Sequence, residues 1–270
     1  MKPRTREAPA AAGPARIDWY DVPRLYDIVF DVGTRAEADF LEACARRYGR
    51  SRGQRALEPA CGSGRLVAEL VRRGWTVRGF DRNAHMLAYA RQRLARAGLV
   101  ATVVRGDLAD FRVPRRVDLA HCLVSTFKYL LDEQSARSHL ECTAEALLPG
   151  GIYVLGLHLT TYRRTTDERE RWVETRGGVT VTSDMRVGRP DRRTRLEPVV
   201  TRITEDAGGV RRHYESTWDF RTYSAAELRT LIAAVPALEL VALHDFDHDL
   251  AQRSTWTDGR LDKIVVLRRR

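Results

Sequence analysis

The stretch LEPACGSGRL, residues 57–66, decides how this chain is read. It runs from a short apolar segment, RALEPA (55–60), through Gly62-Ser63-Gly64 into a stretch where Leu66, Val67, Leu70 and Val71 recur at helical spacing as far as Gly74. A buried strand, a glycine turn and a helix, in that order, make a place where a ligand can meet the backbone. Glycine has no Cβ and admits close approach, and the free N–H groups of a helix start favour negative charge. The third glycine of a dinucleotide fingerprint is missing, because Arg65, Leu66 and Val67 follow Gly64. A P-loop is excluded, since no lysine follows a glycine anywhere in the chain.

Outward from this stretch, strands and helices alternate. Helical spacing predicts helices over 17–31 and 35–48, 83–97 (closed by Gly98) and about 133–147. Strands are predicted in WTVRGF (75–80), ATVVR (101–105) and VDLAHCLV (117–124), and LLPGGIYVLGLHL (147–159) reads as a turn and a long apolar strand. Five strands before residue 160 with helices between them imply a doubly wound parallel sheet covered on both faces. The pattern then changes. Between 160 and 223, Gly177-Gly178 and Gly208-Gly209 separate runs of period two such as Tyr214/Ser216/Trp218/Phe220, which predict antiparallel hairpins. Helical spacing returns over 224–235, where Ser224 and Glu227 are spaced as a capping box. LELVALHDF (238–246) and DKIVVLRR (262–269) close the sheet. The expected organisation is a flexible tail (1–16), a cofactor-binding core (17–159), a β-rich lid (160–223) and a last helix with closing strands (224–270).

The chain has 270 residues, 43% hydrophobic and 30% charged, as expected of a soluble globular protein. Its net charge is +10, and all but three of its 46 cations (Lys2, Lys128, Lys263) are arginines. The two ends carry much of the excess, and elsewhere the arginines are interleaved with acids, so nucleic acid is not the expected partner. No stretch approaches roughly eighteen uncharged apolar residues, which argues against a membrane span. Cys44, Cys61, Cys122 and Cys142 lie far apart, and the N-terminus lacks an apolar export segment; both point to reduced thiols in the cytoplasm.

Asp81 ends the second strand in GFDRN (79–83), where a carboxylate can accept hydrogen bonds from both ribose hydroxyls of a nucleoside. Glu58 and Asp107 end its neighbours, and three such acids suit a ligand with hydroxyls, an amino-purine and a cationic centre. Taken together, these residues resemble the class I S-adenosylmethionine-dependent methyltransferases, with their Rossmann-like seven-stranded sheet. LEPACGSGRL resembles that family's first motif and GFDRNAHMLAYAR its second; GDLADF (106–111) is similar to its adenine-binding turn and LLPGG (147–151) to the turn before its fifth strand. The resemblance implies that Ala60, Gly62 and Gly64 line the methionine part of the cofactor, with Glu58 as the acid of the motif. Asp81 and Arg82 belong at the ribose, Asp107 and Leu108 at the adenine, and Met86 near the ring. Leu123 and Ser125 close the site. The product would be S-adenosyl-L-homocysteine, and no metal is expected.

YDVPRLYDIVF (20–30) further resembles the N-terminal helix of small-molecule methyltransferases, amino-sugar N-methyltransferases among them, which makes Tyr20 and Tyr26 active-site candidates. The position after the fourth strand reads LVSTFKYL (123–130), without the Asn/Asp-Pro-Pro-aromatic motif of enzymes that methylate bases in DNA. Methyl transfer needs a base only if the nucleophile arrives protonated, and His158, at the end of the fifth strand, is the candidate. Phe127 and Tyr129 are candidate walls of the acceptor pocket. The segment HDFDHD (244–249) places Asp245, Asp247 and Asp249 on one face of a strand and His244 and His248 on the other, an arrangement that does not converge on a metal. The expected activity is N- or O-methylation of a small molecule. An RNA or protein methyltransferase and a non-catalytic cofactor-binding module are the alternatives, and an exposed strand of the insertion leaves room for a homodimer.

Overall fold

The computed structural model describes residues 13–270, and its chain forms two sheets. The strands are β1 (Ala15–Arg16), β2 (Arg55–Pro59), β3 (Thr76–Asp81), β4 (Thr102–Arg105), β5 (Val117–Cys122), β6 (Leu147–His158), β7 (Glu168–Arg176), β8 (Val179–Val187), β9 (Leu196–Ala207), β10 (Val210–Arg221), β11 (Leu238–His244) and β12 (Asp262–Arg269). The helices are α1 (Pro23–Phe30), α2 (Thr34–Tyr48), α3 (Arg65–Arg72), α4 (Ala84–Arg96), α5 (Glu133–Ala146) and α6 (Ala225–Ala233). Strands β2 to β6 are parallel, and the antiparallel pair β11 and β12 completes a seven-stranded sheet of order β11-β12-β6-β5-β2-β3-β4. The expected doubly wound α/β architecture is therefore present.

Alternation along the strands sorts the core into two layers. Ile152 and Val154 face α2, α3 and α4, whereas Tyr153 and Leu155 face α5 and α6. The reversal of strand order between β5 and β2 opens the sheet's carboxyl edge, where ligands of such folds sit. The turn from β2 into α3 needs left-handed backbone at Gly62 (φ 51°) and Gly64 (φ 70°), the conformation glycine adopts without steric penalty.

The second sheet has the order β1-β10-β9-β8-β7 and turns at Gly177-Gly178 and Gly208-Gly209, all four with positive φ. Its inner face, through Val181 and Ile203, packs on Trp19, Leu25, Ile28 and Val29, with Trp172, Tyr214 and Trp218 at the margin. A buried ion pair, Lys128 Nζ to Glu197 Oε1 at 2.6 Å, fixes β9 to the loop after β5. Ser224 and Glu227 form the predicted capping box at α6.

Three expectations change. The helix predicted over 17–31 is split, because Pro23 starts a new helix at the position where a missing N–H costs least, after a 3-10 turn at Trp19–Asp21. Residues 1–12 of the expected tail lie outside the described residues, but Ala15–Arg16 pair in parallel with Tyr214–Glu215. The HDFDHD segment leaves the sheet at His244, so its aspartates share no strand face. There Asp245 turns toward the fully buried Lys263, which also binds Asp258 at 2.8 Å, and His244 lies between the Tyr48 hydroxyl (2.9 Å) and the Gln252 carbonyl (3.0 Å). Among the described residues no helix is long and apolar enough to cross a membrane, and the four cysteines are unpaired.

A Cβ built on Gly64 would lie 2.8 Å from the Cβ of Ala90 on α4, on a backbone that side chains avoid. Gly64→Ala is expected to lose about 1–3 kcal/mol of stability, read from the shift in a urea unfolding midpoint.

Candidate active site

At the carboxyl edge, a cleft of about 350 Å³ opens between the β2, β3 and β4 ends, the N-terminal segment and the loop before α5. Its floor is the 60–64 turn. Gly62 N donates to Asp81 Oδ2 at 2.8 Å, while Asp81 Oδ1 accepts from Asn83 N at 2.8 Å. Burial raises the Asp81 carboxyl above its ordinary value, and these N–H donors oppose the rise. At the end of β4, Asp107 is exposed and accepts from Ala109 N at 2.7 Å. Its neighbour Leu108 presents a carbonyl that accepts from His139 Nδ1 at 2.8 Å. Burial lowers His139 to about 4, so the ring is neutral, and its Nε2 accepts from the Tyr153 hydroxyl at 2.7 Å. This support for the β4 turn comes from α5, and the sequence reading missed it.

The wall opposite is aromatic. Tyr20 and Tyr129 meet through their hydroxyls, and the Tyr26 ring lies 5.5 Å from that of Tyr20. Burial pushes Tyr26 up to about 12 and also raises Tyr20 and Tyr129, so all three stay phenols near neutral pH. Tyr26 therefore cannot serve as a base there.

Beneath the turn, a hollow of about 40 Å³ is lined by Glu58, Tyr26, Gly62, Arg65 and Leu123. Arg65 is spoken for: it donates to both carboxylate oxygens of Glu37, at 2.8 and 2.7 Å, and to Thr34 at 3.1 Å. Glu58 is only partly so: a Val67 backbone N–H supports its carboxyl, but Oε2 is buried without a partner among the described residues. Burial pushes the Glu58 carboxyl up to about 8, with Glu37 and Asp81 adding to the rise and Arg65 opposing it.

Of the residues expected from sequence, Tyr20, Tyr26, Ala60, Gly62, Asp81, Arg82, Asp107, Leu108 and Tyr129 line the cleft. Glu58 and Leu123 line the hollow beside it. Gly64 lies behind the turn against α4, and Met86 is fully buried beneath it. Ser125 accepts from His158 N at 3.0 Å and lines neither space. Phe127 is not a wall of the cleft: it is buried in the core, 5.3 Å from the His139 ring and 5.6 Å from Tyr223. His158 does not reach the cleft either. It faces Asp262 across the β6–β12 ladder, and its Nδ1 lies 2.7 Å from the Asp262 carboxylate, with Glu168 at 3.7 Å from Nε2. Asp18, Asn83, Thr126 and Asp132 are among the lining residues that were not foreseen; Asp132 carried a legible signal, as the N-cap of α5.

The sequence family described as "Methyltransferase domain" matches residues 56–151. A dTDP-3-amino-3,6-dideoxy-alpha-D-glucopyranose N,N-dimethyltransferase of Streptomyces fradiae is 30% identical over 210 residues, covering 77% of this chain and 80% of the relative. The chain belongs to the S-adenosylmethionine-dependent methyltransferases. Its cofactor is accordingly S-adenosylmethionine. Two solved structures share the fold of this methyltransferase. One is an S-adenosylmethionine-dependent methyltransferase from Clostridium acetobutylicum (TM-score 0.73, 16% identity, 93% of this chain and 98% of that one). The other is the sugar N-methyltransferase KedS8 from a Streptoalloteichus species (TM-score 0.72, 20% identity, the whole of both chains).

The residues present suit the cofactor. The unpartnered oxygen of Glu58 is an acceptor beside a glycine turn, as an ammonium group requires, and desolvating it alone is costly. Because the folded pKa of Glu58 exceeds the unfolded one, its contribution to stability is fully present below about pH 4.5 and lost as pH rises through about 8. Thermal unfolding of the cofactor-free enzyme should therefore show Glu58→Gln gaining on the wild type between pH 5 and pH 8.

Proposed function

We propose that this methyltransferase methylates the amino group of a small nucleotide-linked amino sugar. Support for the amine comes from the charge of the cleft. With Asp81 and Asp107 given to the cofactor, Asp18 and Asp132 remain in its lining beside Arg82 among the described residues, which favours the amine end of an acceptor inside the cleft while its phosphates stay outside. Support for the amino sugar comes from the Streptomyces fradiae relative, whose name specifies one.

In this reading Asp81 holds the ribose hydroxyls, Asp107 and the Leu108 backbone hold the adenine, and Glu58 receives the ammonium end at the turn of Ala60 and Gly62. Gly64 and Met86 act from behind, by letting α4 pack against the turn. The chemistry supplied by bound S-adenosylmethionine is an electrophilic methyl group on a sulfonium centre. Chain residues then have two tasks. The phenols of Tyr20, Tyr26 and Tyr129 exclude water and wall the path of approach, and the acids draw the acceptor's amine into line. The amine attacks with its lone pair once its ammonium proton has passed to solvent, and the N-methylated product sheds its extra proton the same way, whereas a hydroxyl requires a base within reach during the attack, and phenols this hard to ionise do not supply one. N-methylation is thus favoured over O-methylation. The β7–β10 sheet with α1 serves as the cover of the site, and the unpaired thiols suit a cytoplasmic enzyme.

Calorimetry should show S-adenosylmethionine binding to the wild type and none to Asp81→Ala; unchanged binding in the variant would sink the cofactor placement. A methylation assay should label a nucleotide-linked 3-amino sugar but neither its 3-hydroxy counterpart nor bulk RNA. Labelling of either of the latter in preference would replace the amine reading. A general base contributes roughly 100- to 10,000-fold, so His158→Ala, with its side chain off the cleft, is expected to keep kcat within about 3-fold.

A further inference from the structure

Asp27 lies on α1 next to the cleft-lining Tyr26, and it is 1% exposed. Four donors from three parts of the molecule converge on its carboxylate. Oδ1 accepts from Ser63 Oγ at 2.7 Å, inside the 60–64 turn, and from Arg93 on α4. Oδ2 accepts from the Tyr89 hydroxyl of α4 at 3.0 Å and from Arg176 Nη2 at 2.6 Å. Arg176 is the last residue of β7, directly before the Gly177-Gly178 turn, so it belongs to the tip of the first hairpin of the insertion. One helical turn on, Asp31 binds the same two arginines, each at 3.2 Å.

Most buried ion pairs in this chain join two elements; this one joins three that have no covalent reason to move together. Ser63 is buried, and Asp27 is the partner of its hydroxyl. Asp81 grips the turn at Gly62 from the sheet side, and Asp27 grips it one residue later from the α1 side. The α1 helix is held in turn by the hairpin tip through Arg176. A change at the turn is thus transmitted to Tyr26 and to the hairpin through one carboxylate.

We propose that Asp27 is a positioning residue that couples occupancy of the cofactor turn to closure of α1 and the β7–β8 hairpin over the acceptor side of the site. Cofactor binding steadies Ser63, Ser63 and Arg93 fix Asp27, and Asp27 recruits Arg176. The cover closes most firmly when the cofactor side is filled. This rests on the cofactor placement proposed above.

The test uses S-adenosylhomocysteine, calorimetry and hydrogen–deuterium exchange on the full chain. In the wild type the ligand should slow exchange in α1 and, some distance away, in peptides covering 172–182. Arg176→Ala, a half-exposed side chain outside the cleft, should bind the ligand within about 2-fold of the wild type yet lose its effect on 172–182. In Asp27→Asn the remaining buried donors lose a charged acceptor, so affinity should fall roughly 10-fold and the distant protection should vanish. A merely structural Asp27 would lower stability without removing the ligand's effect at the hairpin. Ligand-independent exchange at 172–182 in the wild type, or undiminished protection in Arg176→Ala, would overturn the coupling. Should Asp27→Asn fail to fold, Arg176→Ala decides alone. Absence of calorimetric binding by the wild type would instead overturn the cofactor placement, and the coupling with it.

Discussion

The hydrogen bond from Gly62 N to Asp81 joins the ends of β2 and β3, two adjacent parallel strands beside the point where the sheet reverses its order. It requires left-handed backbone at Gly62, a carboxylate at the tip of β3, and an α4 that starts immediately afterwards under its Asn83 cap. Each requirement constrains a neighbour. The close passage of Gly64 by Ala90 brings α3 and α4 together, and the exposed backbone of the turn becomes available to a ligand. The edge of the sheet thereby gains a binding surface without lengthening a loop, because the turn itself is the surface.

In the proposed reading, what is specific to the acceptor is added on top of that edge. The N-terminal segment contributes Asp18, Tyr20 and Tyr26, the loop after β5 contributes Tyr129, and the insertion covers both. These additions are anchored by charge as much as by apolar packing. Lys128–Glu197 is buried on both sides, so removing Glu197 would strand Lys128, and the Asp27 carboxylate is buried beneath a half-exposed Arg176. Buried pairs of this kind add little net stability for their desolvation cost, but they fix which surfaces meet. If the insertion opens as proposed, directional bonds would return it to the same closed geometry, which a greasy interface alone would not ensure.

The β2, β3 and β4 strands were legible as short runs flanked by glycine, β5 and β6 as apolar runs between helical stretches, and the insertion because its alternation changes from 3.6 to 2 at residue 160. The strand-end acids Glu58, Asp81 and Asp107 were legible for the same reason: their place follows from the strand preceding each. Pro23 carried its own signal, and the helix reading ran through it. His158 and Phe127 were not readable in this way. The partner of His158 is Asp262 on a strand 104 residues later, and the 3-10 turn after β5 rotates Phe127 into the core while leaving Tyr129 on the cleft. The Asp27 cluster escaped notice altogether. Its donors lie 36, 62, 66 and 149 positions away, and no local period encodes them.

The near-absence of lysine has a consequence for handling the protein. Of the three lysines, Lys2 lies outside the described residues, and Lys128 and Lys263 are 3% and 0% exposed, each bound to carboxylates. Amine-directed reagents thus find almost nothing to acylate on the folded body, despite its strongly basic composition. The two buried amines become built-in reporters instead: acylation of Lys128 registers the junction between cover and core coming apart, and acylation of Lys263 registers the fraying of the closing β11–β12 pair.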